Sequence, residues 1–179
     1  MQKIYFLIIL PILMATQDNI IFDFTTNANT SNWRVVDDVV MGGKSNGDFK
    51  LNKDGFGEYS GKISLENNGG FSSLRYRFKE KSIKGFSKVI LKIKGDGKKY
   101  QFRIKKDSND SHSYISSFST NGNWQTIEIN LSEMYPAFRG RVLDMENLSS
   151  DSIEEVAFLI GNKKEEDFRL YIDKISLEK

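Results

Sequence analysis

Residues 88–105 read KVILKIKGDGKKYQFRIK. Val89, Leu91 and Ile93 alternate with Lys88, Ile90 and Lys92, and Tyr100, Phe102 and Ile104 alternate with Gln101, Arg103 and Lys105. Period two puts each apolar set on one face of a strand and the mostly polar set on the other. Gly95-Asp96-Gly97 between them reads as a tight hairpin turn, because glycine accepts positive φ at little cost. The unit recurs outward in both directions. Ile127, Ile129 and Leu131 alternate, as do Val156, Phe158 and Ile160, and Phe168, Leu170 and Ile172. Further strands are expected at Ile20–Phe24, Trp33–Val36, Gly57–Glu66, Phe71–Phe78 and Ser113–Phe118. Asn67-Asn68-Gly69-Gly70 and Asn121-Gly122-Asn123 read as turns like the first. No long stretch carries the helical period; a single turn around Ser132–Tyr135 is the best helical candidate. About ten short strands with turn signals between them predict an all-β sandwich or barrel.

Composition removes much of the catalytic menu. The 179 residues include no cysteine and one histidine, His112. Disulfides, cysteine-ligated metals, a cysteine nucleophile and sites needing two imidazoles are excluded. Lys plus Arg is 26 and Asp plus Glu is 24, so the formal charge is 26 − 24 = +2. That near-balance argues against a nucleic-acid partner, which calls for clustered positive charge. No dinucleotide or phosphate-loop fingerprint is present, so no cofactor is expected.

Lys3, the apolar run Ile4–Met14 and Ala15 have the layout of a secretory signal peptide. The run is short for a membrane span and Pro11 interrupts it. Residues 1–15 are therefore expected to direct export to a periplasmic or extracellular location, leaving a mature chain without a membrane span. Residues 16–179 read as one domain, since Pro136 is the sole later proline and no Ser- or Gly-rich linker divides them.

The densest cluster of candidate residues is WRVVDDVVMGGKSNG, Trp33 to Gly47. Its adjacent acids either cap backbone amides in a strand–turn–strand or supply oxygen ligands to calcium; the spacing favours the first and no metal is expected. Asp37, Asp38, Glu66 and Asp96 are the carboxylates from which a glycosidase pair would have to be drawn. His112, in the polar run Asp107–Ser113, reads as a solvated loop histidine. Trp33, Trp124 and the other aromatics read mostly as core, with a sugar-stacking platform as the alternative. Arg139-Gly140-Arg141 after Phe138 places two guanidiniums where they can grip a carboxylate or phosphate.

In chain order, Trp33, Asp37–Ser45, Gly61–Arg75, Lys94–Tyr100, Trp124, Phe138–Arg141, Val156–Ile160 and the terminal strand resemble the complex I intermediate-associated protein 30 family. The V-M-G-G-x-S and S-L-E-N-N-G-G-F segments are the specific part of the match. The resemblance implies a galactose-binding-domain-like jelly-roll β-sandwich and a non-catalytic assembly factor, a chaperone-like module with a protein partner. It brings no catalytic residues. The fold also hosts carbohydrate-binding modules, so an exported glycan-binding domain is the alternative, and an enzyme working with carboxylates is a third reading. The expected binding surface is built from loops at one end of the sandwich. Its residues are Asp37, Asp38, Met41, Gly42, Gly43, Ser45, Asn67, Asn68, Gly70, Arg75, Asp96, Tyr100, Phe138 and Arg139.

Overall fold

The computed structural model of the protein describes residues 19–179, so the expected signal segment lies outside the described residues. Thirteen strands follow one another there. They are β1 Ile20–Asp23, β2 Trp33–Asp37, β3 Asn46–Leu51, β4 Gly57–Ile63, β5 Ser72–Ser82, β6 Lys88–Lys94 and β7 Lys99–Lys105. Then come β8 Ser113–Ser119, β9 Trp124–Asn130, β10 Tyr135–Phe138, β11 Arg141–Val142, β12 Ser152–Ile160 and β13 Glu166–Glu178. They form two antiparallel sheets. One has the order β3-β4-β13-β6-β9 with β1 added on β13; the other runs β11-β10-β8-β7-β12-β5-β2. This is the expected all-β jelly-roll sandwich. The helical candidate appears as a single 3-10 turn at Leu131–Glu133.

The alternation that predicts the strands also builds the core. Val89, Leu91 and Ile93 of β6, with Leu170, Ile172, Ile175 and Leu177 of β13, face Tyr100, Phe102 and Ile104 of β7 and Val156, Phe158 and Ile160 of β12. All are essentially buried, and each large apolar side chain so placed contributes about 1.5–3 kcal/mol. Trp33 joins Phe22, Phe24, Phe49 and Tyr76 in an aromatic cluster, stacked on Tyr76 at 4.8 Å. Trp124 differs from expectation: it is 41% exposed and leans on Phe56, 4.6 Å between rings.

The three turn clusters correct the hairpin reading. Gly95–Gly97 joins β6 to β7, Asn67–Gly70 joins β4 to β5, and Asn121–Asn123 joins β8 to β9. In each case the two strands lie in different sheets. Glycine and asparagine reverse the chain as expected, but the reversal arches across the core instead of zipping neighbours. The ladder partners are distant in sequence: β12 pairs with β5 and β7, and β13 with β4 and β6.

The outward face of the seven-stranded sheet carries the other half of each alternation. In register across it stand Arg34 of β2, Arg75 of β5, Ala157 of β12, Arg103 of β7 and Ile115 of β8. One row along are Val36, Ser73, Leu159, Gln101 and Ser117.

Candidate functional site

The loop that rises beside this face is organised by two acids. Asp37 ends β2, and its carboxylate accepts the Ser72 hydroxyl at 2.5 Å and the Gly47 amide at 2.9 Å. The Tyr59 hydroxyl donates to Ser72 Oγ at 2.7 Å, which ties β4 to the same point. Burial pushes the Tyr59 phenol up, so it stays protonated and donates. Tyr59→Phe removes this donor without changing shape and is expected to lower stability by about 1 kcal/mol in chemical denaturation.

Asp38 is fully buried. Its carboxylate accepts the amides of Ser45 at 2.9 Å, Gly70 at 2.5 Å and Phe71 at 3.2 Å, and the Ser45 hydroxyl at 2.5 Å. Burial alone would raise this carboxyl. The Ser45 hydroxyl, followed by the amides of Gly70, Ser45 and Phe71, outweighs burial and holds it below the ordinary carboxylate range. The two glycine pairs follow from this cage. Gly42 and Gly70 hold φ of +90° and +130°. A Cβ on Gly43 or Gly69 would run into the Asp38 carboxylate. Asn67 and Asn68 both turn through positive φ, and Asn67 Nδ2 donates to the Gly42 carbonyl at 3.0 Å, closing the two loops on each other. The amide-capping reading of the acids is therefore the observed one. Among the described residues no group of three or more His, Cys, Asp or Glu is placed to hold a metal.

The loop so braced walls a cavity of about 550 Å³ over the outward face. Val40 and Met41 stand on this wall, Phe138 at the end of β10 and Arg139 on the turn after it, and Arg75, Gln101, Arg103 and Lys105 below them. Val40 is 72% exposed, Met41 53% and Phe138 40%. Arg139 lies over the Phe138 ring at 5.3 Å. Arg103 is clamped by Gln101, whose Oε1 accepts its Nε at 3.0 Å and Nη2 at 2.6 Å. Burial, together with the neighbouring Arg75 charge, pushes the Arg103 guanidinium down to about 10; the Tyr135 hydroxyl opposes the shift. Burial also lowers Lys105, against the pull of Glu155. A cavity that disfavours its own cations is matched to a ligand that brings negative charge.

Of the expected surface residues, Met41, Gly70, Arg75, Phe138 and Arg139 line the cavity. Asp37, Asp38, Gly42, Gly43, Ser45, Asn67 and Asn68 belong to the loops that brace it. Asp96 and Tyr100 line no part of it. Asp96 caps its own turn, accepting Lys98 Nζ at 2.8 Å, the Tyr100 hydroxyl at 2.9 Å and the Arg169 amide at 2.9 Å. Sequence reading missed Arg103, Lys105 and Gln101 as residues of the cavity, although their outward phase on β7 was legible. Their signal is three polar outward positions, two of them cationic, with no acid among them. None of Asp37, Asp38, Glu66 and Asp96 opens into the cavity, so no glycosidase pair forms there. His112 is half-buried, with its ring edge-on to Tyr114 at 5.3 Å, which corrects the solvated-loop reading.

Comparison with known proteins follows the same lines. The model of the family described as Complex I intermediate-associated protein 30 matches residues 22–172. The mouse protein named Complex I intermediate-associated protein 30, mitochondrial, is 25% identical over 189 residues, covering 90% of this chain and 56% of its own. The Caenorhabditis elegans probable complex I intermediate-associated protein 30, mitochondrial, is 27% identical over 137 residues, covering 72% and 39%. The chain thus spans about half the length of the curated relatives it matches. Among solved structures, a family 11 carbohydrate-binding module from Clostridium thermocellum, in complex with a mixed-linked tetrasaccharide, superposes with a TM-score of 0.66. It is 22% identical, with 90% of this chain and 95% of that one covered. An exo-β-agarase gives 0.58 at 14% identity over 89% of this chain and 24% of that one. These likenesses establish the jelly-roll fold. The relatives also overturn the expected export: both are mitochondrial by name, which points to a mitochondrial location instead.

Proposed function

The chain belongs to the complex I intermediate-associated protein 30 family, and from that premise we propose that it is a non-enzymatic module that grips a polypeptide partner during respiratory complex I assembly. The observation that carries this reading is the exposure of Val40, Met41 and Phe138 around one cavity whose wall is fixed by the buried Asp38 cage. Large apolar side chains held in solvent on a braced loop do nothing for the core and fit a protein contact. The family and the fold are both of non-catalytic kinds. Of the four carboxylates from which an enzyme pair would be drawn, Asp37 and Asp38 brace backbone amides, Asp96 caps a turn, and Glu66 pairs with Lys44. Among the described residues no helix is long and apolar enough to cross a membrane.

The glycan alternative has weaker support. Trp33 is buried, Trp124 stands on the other sheet, and Phe138 is the one exposed large aromatic at the cavity. A sugar platform needs several such rings on one face.

The double substitution Val40→Ser, Met41→Ser tests the reading. Because both side chains are exposed, stability should stay within about 0.5 kcal/mol of the parent. Affinity capture from native extract of the source organism should recover complex I subunits or assembly intermediates with the parent and lose them with the variant. Capture that is absent in the parent, or equal in both, would overturn it.

A further inference from the structure

Charge on the outward face of the seven-stranded sheet is arranged against the sheet's own stability. Arg34 and Arg75 are direct cross-strand partners, and Ala157 alone separates Arg75 from Arg103. Like charges facing across strands repel. The neighbouring Arg77 shows the stabilising alternative: its Nε meets the buried Glu155 carboxylate at 2.5 Å. Among the described residues, Arg34, Arg75, Arg103 and Arg139 have no such acid within ion-pair distance. The whole chain carries only +2, so this is a local concentration and not a basic background.

The set is also preoriented. Gln101 fixes the plane of Arg103 through two hydrogen bonds to its neutral amide oxygen and leaves the guanidinium without a countercharge. Arg139 and Gly140, at φ +48° and +77°, form the two-residue turn that joins β10 to β11. The first of these positions is one that Asn, Asp or Gly occupies more cheaply. An arginine there, with its guanidinium 5.3 Å from the Phe138 ring centre and on the cavity wall, is placed for its side chain and not for its backbone. Lys105 is the least free of the cations, since its ammonium is held by the Asp110 carbonyl.

We propose that this face receives an acidic segment of the partner polypeptide. Its clustered Asp and Glu carboxylates meet Arg75, Arg103 and Arg139, and its interspersed apolar side chains meet Val40, Met41 and Phe138. The proposal rests on the protein-binding reading above and names the chemistry of the partner. Guanidinium forks match carboxylates bidentately, and Arg103 is held ready to do so. Of the cations that line the cavity, Arg75 and Arg103 stand two interstrand steps of about 4.8 Å apart, with Arg139 on the far wall. That is wider than a single inorganic anion, and the apolar rim offers such an ion nothing.

Fluorescence anisotropy with a labelled peptide of Glu and Leu residues, its Gln-for-Glu counterpart and a single-stranded oligonucleotide tests it, with inorganic phosphate as competitor. The Glu peptide should bind, more weakly as salt rises, and the Gln peptide about tenfold or more weaker. Arg75→Gln, Arg103→Gln and the exposed Arg139→Gln should each weaken the Glu peptide about tenfold while the melting temperature holds or rises. Equal affinity for the two peptides, indifference to all three substitutions, displacement by equimolar phosphate, or tighter binding of the oligonucleotide would overturn it. If the peptides bind alike while Val40→Ser, Met41→Ser still abolishes native capture, the acidic partner falls and the protein-binding module stands. If the Glu peptide binds as expected and native capture fails, the acidic chemistry of the face stands and the complex I partner falls.

Discussion

Asp38→Ala should cost about 3–5 kcal/mol and release two loops at once. The substitution strips the partner from three backbone amides, those of Ser45, Gly70 and Phe71, and from the Ser45 hydroxyl. Each buried donor left unpaired costs about 1–3 kcal/mol, and bonds to a carboxylate are at the strong end. Local relaxation and water entry bring the sum below four full penalties. For a chain of this size that corresponds to a fall in melting temperature of about 6–20 °C. The pH dependence gives a second readout. A carboxyl held below its ordinary value contributes stability above the unfolded value of about 3.9 and loses it as pH falls through the folded one. The parent should therefore show a steeper acid limb than the alanine variant below about pH 4. Denaturation of both proteins at neutral and acid pH measures this. A loss under 1 kcal/mol with parallel acid limbs would mean that the cage is not what holds the loops.

The Asp38 cage also shows how the sequence carried information and how it was misread. V-M-G-G-K-S and N-N-G-G-F are conspicuous as motifs, and conspicuous motifs invite a functional reading. Their glycines are set by a buried carboxylate and by backbone angles, so the motif is a support for the site. What it supports is the pair Val40 and Met41, which chemistry alone would not single out. The strands were legible because period two depends on nearest neighbours only. Their pairing was not, since β6 and β7 look like a hairpin until the arch at Gly95–Gly97 is seen to leave one sheet for the other. β3 was missed because it is an edge strand whose inward set begins with Gly47, and β10 because Pro136 sits inside it. The cationic floor was hidden for the same reason. Arg34, Arg75 and Arg103 lie tens of residues apart, and only the ladder through β5, β12 and β7 sets them side by side.

On that floor, Arg103→Met should stabilise the fold by about 1–2 kcal/mol while weakening an acidic ligand about tenfold or more. The free protein holds Arg103 charged against burial and against the Arg75 guanidinium, with a neutral amide oxygen as its partner. A guanidinium pushed down to about 10 in the fold is charged at neutral pH only at a cost to folding. Methionine fills similar space, bears no charge, and leaves Gln101 to turn toward water in the cavity. If Arg103 were a structural pillar, the methionine variant would unfold more easily, because Gln101 and the neighbouring strands would lose their organiser. Urea denaturation of the two proteins, alone and with saturating Glu peptide, separates these accounts. The peptide should stabilise the variant by about 1.4 kcal/mol less than the parent if its affinity falls tenfold, since a ligand stabilises only the state it binds and in proportion to the logarithm of its affinity. A variant less stable than the parent by 1 kcal/mol or more, or one that keeps the full peptide shift, would assign Arg103 to the scaffold.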